Sequence, residues 1–205
     1  MLISILTIIT ITISTYTPAI AYNTFSGSKM INGVGSSGNY TRYYWVDTSS
    51  LNSTWRTRID TGMYNWCHTG SQGCGVYTSI WFNKTTTKSS SVIDFYYALL
   101  PGGLLGYTQF YTGSGINSTE IFPYNNPQNW VWSKITISSL ADSGIYNNTK
   151  KLIIVEHELG HAFGLAHVST SYYSLMHPTI GTVSADKPTA DDCYGVNSLY
   201  GGYNP

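Results

Sequence analysis

Three histidines and a glutamate stand at fixed distances in this 205-residue chain: His157, Glu158, His161 and His167, with Gly164 between the last two. As a pattern the stretch reads H-E-x-x-H-x-x-G-x-x-H. Residues four apart on a helix share one face, so His157 and His161 aim two imidazoles at a common point. Neutral imidazole is a good zinc ligand, and zinc takes a roughly tetrahedral shell. Glu158 follows the first ligand, where its carboxylate reaches a water at the metal without binding the metal. Glycine at 164 can adopt a positive φ, end the helix and turn the chain back. His167 then arrives as a third ligand and leaves the fourth position for water, the arrangement of a catalytic zinc site. At residue frequencies of about one in twenty, chance yields these five positions in well under one such chain in a thousand. A solvated helix with surface histidines would have no need of the glycine.

The stretch resembles the metzincin metallopeptidases, whose signature is this motif followed by a methionine turn. Ser174-Leu175-Met176-His177-Pro178 is a candidate for that turn. Further on comes Asp191-Asp192-Cys193-Tyr194-Gly195-Val196-Asn197-Ser198-Leu199-Tyr200-Gly201. Taken in order, these segments are similar to the matrixins, firmly over residues 150–201 and more loosely upstream. The resemblance implies an α+β, zincin/metzincin-like fold: a twisted, mostly parallel five-stranded sheet with an antiparallel edge strand, an active-site helix, a Met-turn and a C-terminal helix. It implies one catalytic Zn²⁺ on His157, His161 and His167, with Glu158 as general base and Met176 as an apolar floor.

Pro101-Gly102-Gly103-Leu104-Leu105-Gly106-Tyr107 looks like the matrixin segment that enters the edge strand over the active site. By that resemblance Leu105 and Gly106 meet the substrate, whose extended backbone would add to the sheet. Tyr107 falls where matrixins carry a histidine for a structural zinc. Only His68 and His177 remain outside the motif, so a second zinc site is not expected. His177 is read as a neighbour of the cleft. Asp191 and Asp192 match aspartates that brace the methionine turn, and would equally suit a helix dipole as N-terminal charges. Ca²⁺, which matrixins often bind, finds few acids and no Asp-x-Asp-x-Gly loop. The implied activity is that of a zinc endopeptidase acting on protein or peptide. The rival is a catalytically silent zinc-containing binding protein, and an intact Glu158 argues against it.

These side chains need elements to hold them. Residues 1–21 are apolar and end in Ala19-Ile20-Ala21, the form of a signal-peptide cleavage site, although no Lys or Arg precedes the apolar run. Residues 22–39, rich in Gly, Ser and Asn, read as a flexible lead-in, and 40–205 as the catalytic domain. The expected product is a secreted, extracellular monomer without a membrane span in its mature form. Lys+Arg and Asp+Glu both number 10, which argues against a nucleic-acid partner. Strands are expected at 40–46, 76–82, 92–99 and 130–137. Trp55, Ile59, Met63 and Trp66 recur with helical spacing, capped by Ser53 and ending near Cys67. Asn148 or Thr149 is expected to start the zinc helix, and Thr189 the last one. Of three cysteines, Cys67 and Cys74 would close a short loop in an oxidising compartment, with Cys193 left over. Pairings through Cys193 remain open on sequence.

Overall fold

Short β-branched and aromatic runs alternate here with amphipathic ones, and most become the element their period demands, but the strand expected at 76–82 does not form: only Phe82 of that run lies in a strand. The computed structural model describes residues 22–35, 42–113, 117–171, 173–181, 183 and 185–202. In chain order the elements are β1 (Asn23–Thr24), β2 (Arg42–Val46), α1 (Ser53–Cys67), β3 (Phe82–Lys84), β4 (Ile93–Ala98) and β5 (Gly106–Thr112). They continue with β6 (Thr119–Ile121), β7 (Trp132–Ser138), α2 (Asn148–Ala162), β8 (Leu165–Ala166) and α3 (Ala190–Tyr200). The proposed signal segment lies outside the described residues.

The main sheet has the order β3-β2-β4-β7-β5-β6. Strands β2, β3, β4 and β7 run parallel, β5 is antiparallel to β7, and β6 is antiparallel to β5. The mixed α+β architecture is as expected, but among the described residues the sheet has six strands rather than five. The sixth, β6, sits in a Gly/Asn/Pro-rich stretch and is three residues long, too short to carry a readable period. It covers β5 only at Phe110, Tyr111 and Thr112. Gly106 to Gln109 therefore remain the outer margin of the sheet.

The predicted stripe on α1 is buried throughout, at Trp55, Ile59, Met63 and Trp66. It meets α2, which supplies Ile153, Ile154, Val155 and Leu159 to the same core. Burying side chains of this size contributes about 1.5–3 kcal/mol each, so this interface is a major source of the rigidity under the site. Helix α1 is capped one residue earlier than the sequence suggests, by Asn52 instead of Ser53, while α2 starts at Asn148 as expected. Asn52 accepts the Trp55 amide at 3.0 Å and Asn147 accepts the Lys150 amide at 2.9 Å, so asparagines serve as the N-caps. The last helix does start after Thr189, with a reciprocal Thr189–Asp192 capping box.

Residues 22–35 depart from the lead-in expectation. Phe25, Met30 and Val34 are buried, Phe25 packs edge-on against Phe110 with centroids 5.4 Å apart, and Met30 bridges to Trp130. Their apolar residues are isolated among Gly, Ser and Asn, so no local period announces the packing. The cysteines also differ from the Cys67–Cys74 expectation. Cys67 ends α1 facing β3, where its Sγ accepts the Phe82 amide at 3.4 Å, while Cys74 lies beside Cys193.

Candidate active site

Helix α2 carries His157, Glu158 and His161, and its buried face fixes their direction. Glu156 and Glu158 are both buried but point to different neighbours. Glu156 accepts a 2.6 Å bond from Asn65 on α1, and burial pushes its carboxyl up to about 8. Glu158 instead faces β5 and the cleft. After Ala162 the helix stops, and Gly164 takes φ +99°, a backbone region that L side chains rarely adopt. The chain reverses into β8, and His167 follows directly.

That return is clasped by the N-terminal segment. β1 pairs with β8, the Phe25 amide donates to the Gly164 carbonyl at 3.2 Å, and Asn23 Nδ2 donates to the His167 carbonyl at 2.8 Å. The result is a tight cluster: His167 Nε2 lies 3.2 Å from both His157 Nε2 and His161 Nε2. His157 Nδ1 lies 2.6 Å from the Leu175 carbonyl and His161 Nδ1 lies 2.8 Å from the Leu165 carbonyl. A carbonyl can only accept, so these bonds place the proton on Nδ1 and leave the Nε2 lone pairs aimed inward. Burial, reinforced by the neighbouring rings, holds all three imidazoles below their usual range, with His157 near 4. Three neutral, converging nitrogen donors fit a zinc ion, with room for further ligands on the cleft side.

Met176 lies under α2. A Cβ added to Gly160, between the two helical histidines, would stand 2.4 Å from Met176 Sδ, so only glycine allows this approach. The turn is held from below by Asp192, which accepts from Ser174 Oγ at 2.6 Å and from the Leu175 amide at 3.2 Å. Since the Leu175 carbonyl orients His157, the chain of support runs from α3 to the His157 ring. Asp192 is 1% exposed, so it acts as a brace and not as a solvated helix charge.

Leu105 and Gly106 line the cleft, as do Thr108, Tyr124, Tyr146, His177 and Ile180 around a volume of about 830 Å³. Gly106 leaves room for the glutamate: a Cβ there would stand 2.6 Å from Glu158 Oε1. Thr108 was not singled out in the sequence. Its Oγ1 lies 2.7 Å from Glu158 Oε2 and 3.0 Å from the Glu158 carbonyl. The period of two along β5 was the available signal, since it puts Gly106, Thr108 and Phe110 on one face. Burial pushes the Glu158 carboxyl up to about 7, and the Thr108 bond opposes that shift.

The chain is 34% identical over 103 residues to macrophage metalloelastase of Oryctolagus cuniculus, covering 49% of this chain and 19% of that protein. It is 32% identical over 110 residues to macrophage metalloelastase of Rattus norvegicus, covering 53% and 20%. The chain thus spans about a fifth of the length of these relatives. Among solved structures it is similar to a chain of the GM1-bound form of the ECX AB5 holotoxin. That likeness has a TM-score of 0.52 at 14% identity and covers 85% of this chain and 87% of that one, a likeness of fold. The matrixin family model matches residues 78–201, which takes in the sheet from β3 onward, the histidine cluster, the segment around Met176 and α3. The chain belongs to the matrixin family of peptidases.

Proposed function

We propose that this protein is a secreted zinc endopeptidase that cleaves extended polypeptide across the cleft between β5 and α2. The observation that carries the reading is the convergence of three Nε2 atoms beside a buried glutamate in a cleft of peptide-binding size. Export rests on the composition of residues 1–21. No helix among the described residues is long and apolar enough to cross a membrane.

His157, His161 and His167 would hold the ion. Bound zinc supplies a Lewis acid that polarises the scissile carbonyl and lowers the pKa of the attacking water from about 15.7 toward about 7. The margin of β5 from Gly106 to Gln109 offers backbone groups to an extended substrate, which fixes the scissile bond over the cluster. Glu158 takes the proton from the water as it attacks and returns it to the departing amine. Thr108 is a positioning residue here: its hydroxyl holds one carboxylate oxygen and leaves the other for the proton. Met176 and Asp192 act from beneath, by keeping Leu175 and hence the His157 ring in place. The intact glutamate, held in the cleft, gives the silent binding-protein reading no support.

The test is cleavage of denatured casein by the full chain, with and without a zinc chelator, alongside Glu158→Gln. Chelator-sensitive cleavage that the variant lacks is expected. Cleavage that survives both the chelator and the substitution would overturn the assignment.

A further inference from the structure

The geometry points to a disulfide between Cys74 and Cys193 that staples the loop after α1 to the last helix. The two Sγ atoms lie 3.3 Å apart, about 1.3 Å farther than a bonded pair. Cys193 is fully buried in α3, while Cys74 is partly exposed on the loop. The approach is not an isolated contact. Asn197 Nδ2 donates to the Tyr77 carbonyl at 2.9 Å, Thr78 bridges to Gly202, and the Gly75 amide donates to the Thr69 carbonyl at 3.1 Å. On the other side of both cysteines, Lys187 Nζ donates to the Gln72 carbonyl at 3.5 Å, so loop and last helix are registered before and after the pair. Cys67 is committed elsewhere, against Phe82, and burial pushes its thiol up to about 11.

The reaction balances with a low-molecular-weight disulfide such as glutathione disulfide as oxidant. Cys74, as thiolate, attacks one sulfur of the oxidant and releases one glutathione thiolate. Cys193 loses its proton and attacks Sγ of Cys74 in the mixed disulfide, which releases the second. Two protein thiols are oxidised by two electrons, and one glutathione disulfide is reduced to two glutathiones. The order follows access and acidity: Cys74 is the more exposed, and the contact with Cys193 draws its thiol below the usual range.

The bond would do more than cross-link. Cys193 follows Asp192, whose carboxylate holds Ser174 and Leu175, and the Leu175 carbonyl holds His157. The staple thus anchors the support under the histidine cluster. It also closes a loop of about 120 residues, the long kind for which a cross-link restricts the unfolded chain most.

The test uses the full chain folded in a glutathione/glutathione disulfide buffer, then denatured in N-ethylmaleimide for intact mass and peptide mapping. One maleimide, on Cys67, and one linked peptide pair joining Cys74 to Cys193 are expected. Cys67→Ser should take up none, and its Tm should fall on the order of 10 °C when a phosphine reduces it. Cys74→Ser should take up two labels and show no such fall. Three maleimides on the wild type, a link through Cys67, a link between two chains, or a Cys67→Ser protein whose Tm ignores the reductant would each overturn the proposal.

Discussion

Two of the three histidines come from one helix and the third comes from an arm, and the two halves of the cluster are held by different physics. His157 and His161 are a turn apart on α2, whose buried face packs on α1 and the sheet. Their relation follows from helix geometry alone. His167 sits beyond a left-handed glycine, directly after a two-residue strand paired with another two-residue strand at residues 23–24. Its position depends on contacts between segments more than 140 residues apart. The helical half should therefore fail only when a ligand is removed, while the arm should fail by degrees as its clasp is loosened.

His161→Ala should produce the largest effect. It removes a donor that nothing nearby replaces, so the protein should lose zinc on dialysis while α2 persists, measurable by metal content and far-UV circular dichroism. Gly164→Ala comes next. The φ of +99° and a clash at 2.5 Å with Leu199 Cδ1 should cost about 2 kcal/mol or more in denaturant unfolding. Zinc should be held more weakly, with both helical histidines untouched. Equal zinc affinity in Gly164→Ala and the wild type would erase the contrast between helix and arm.

Thr108→Val asks whether the strand side of the cleft matters separately from metal binding. Loss of one hydrogen bond to a charged group should lower kcat about tenfold with KM and zinc content little changed, and Thr108→Ser should restore most of it. A drop in zinc content instead would make Thr108 structural.

The smallest effect is expected at Asp142, which joins α1, β4 and α2 by accepting from Trp55, Tyr97 and Lys151. Burial alone would raise its carboxyl, but those three bonds outweigh it and leave the folded value below the usual one. A depressed acid lends stability above its unfolded value near 3.9 and loses it as pH falls through the folded value. Unfolding of the wild type should therefore steepen below about pH 4, and Asp142→Asn should flatten that limb. Because the carboxylate is partly exposed, the loss at neutral pH should be about 1 kcal/mol or less.

The same division explains what could be read in the sequence. The histidine motif, α1 with its Trp55–Trp66 stripe, and the capping box at Thr189 are local patterns, and the fold brings the three histidines together, buries the stripe and forms the box. The clasp around His167 was not legible, because Phe25, Met30 and Val34 are single apolar residues whose partners lie far along the chain. Nor was the Cys74–Cys193 approach, since short spacing favours Cys67–Cys74 while the end of α1 turns Cys67 toward β3. Strand β6 escaped because three residues hold no period. Asp192 lay between: its sequence position suited both a brace and a dipole charge, and only its burial under Ser174 and Leu175 separates the two.

The central claim is that ligation and proton transfer reside in different side chains of one stretch. The most direct measurement is zinc per chain and cleavage rate for Glu158→Ala and His167→Ala, side by side with the wild type. One zinc per chain with turnover reduced by about a thousandfold or more is expected for Glu158→Ala, and loss of both zinc and turnover for His167→Ala. Near-normal cleavage by a zinc-loaded Glu158→Ala protein, or full zinc in His167→Ala, would contradict it.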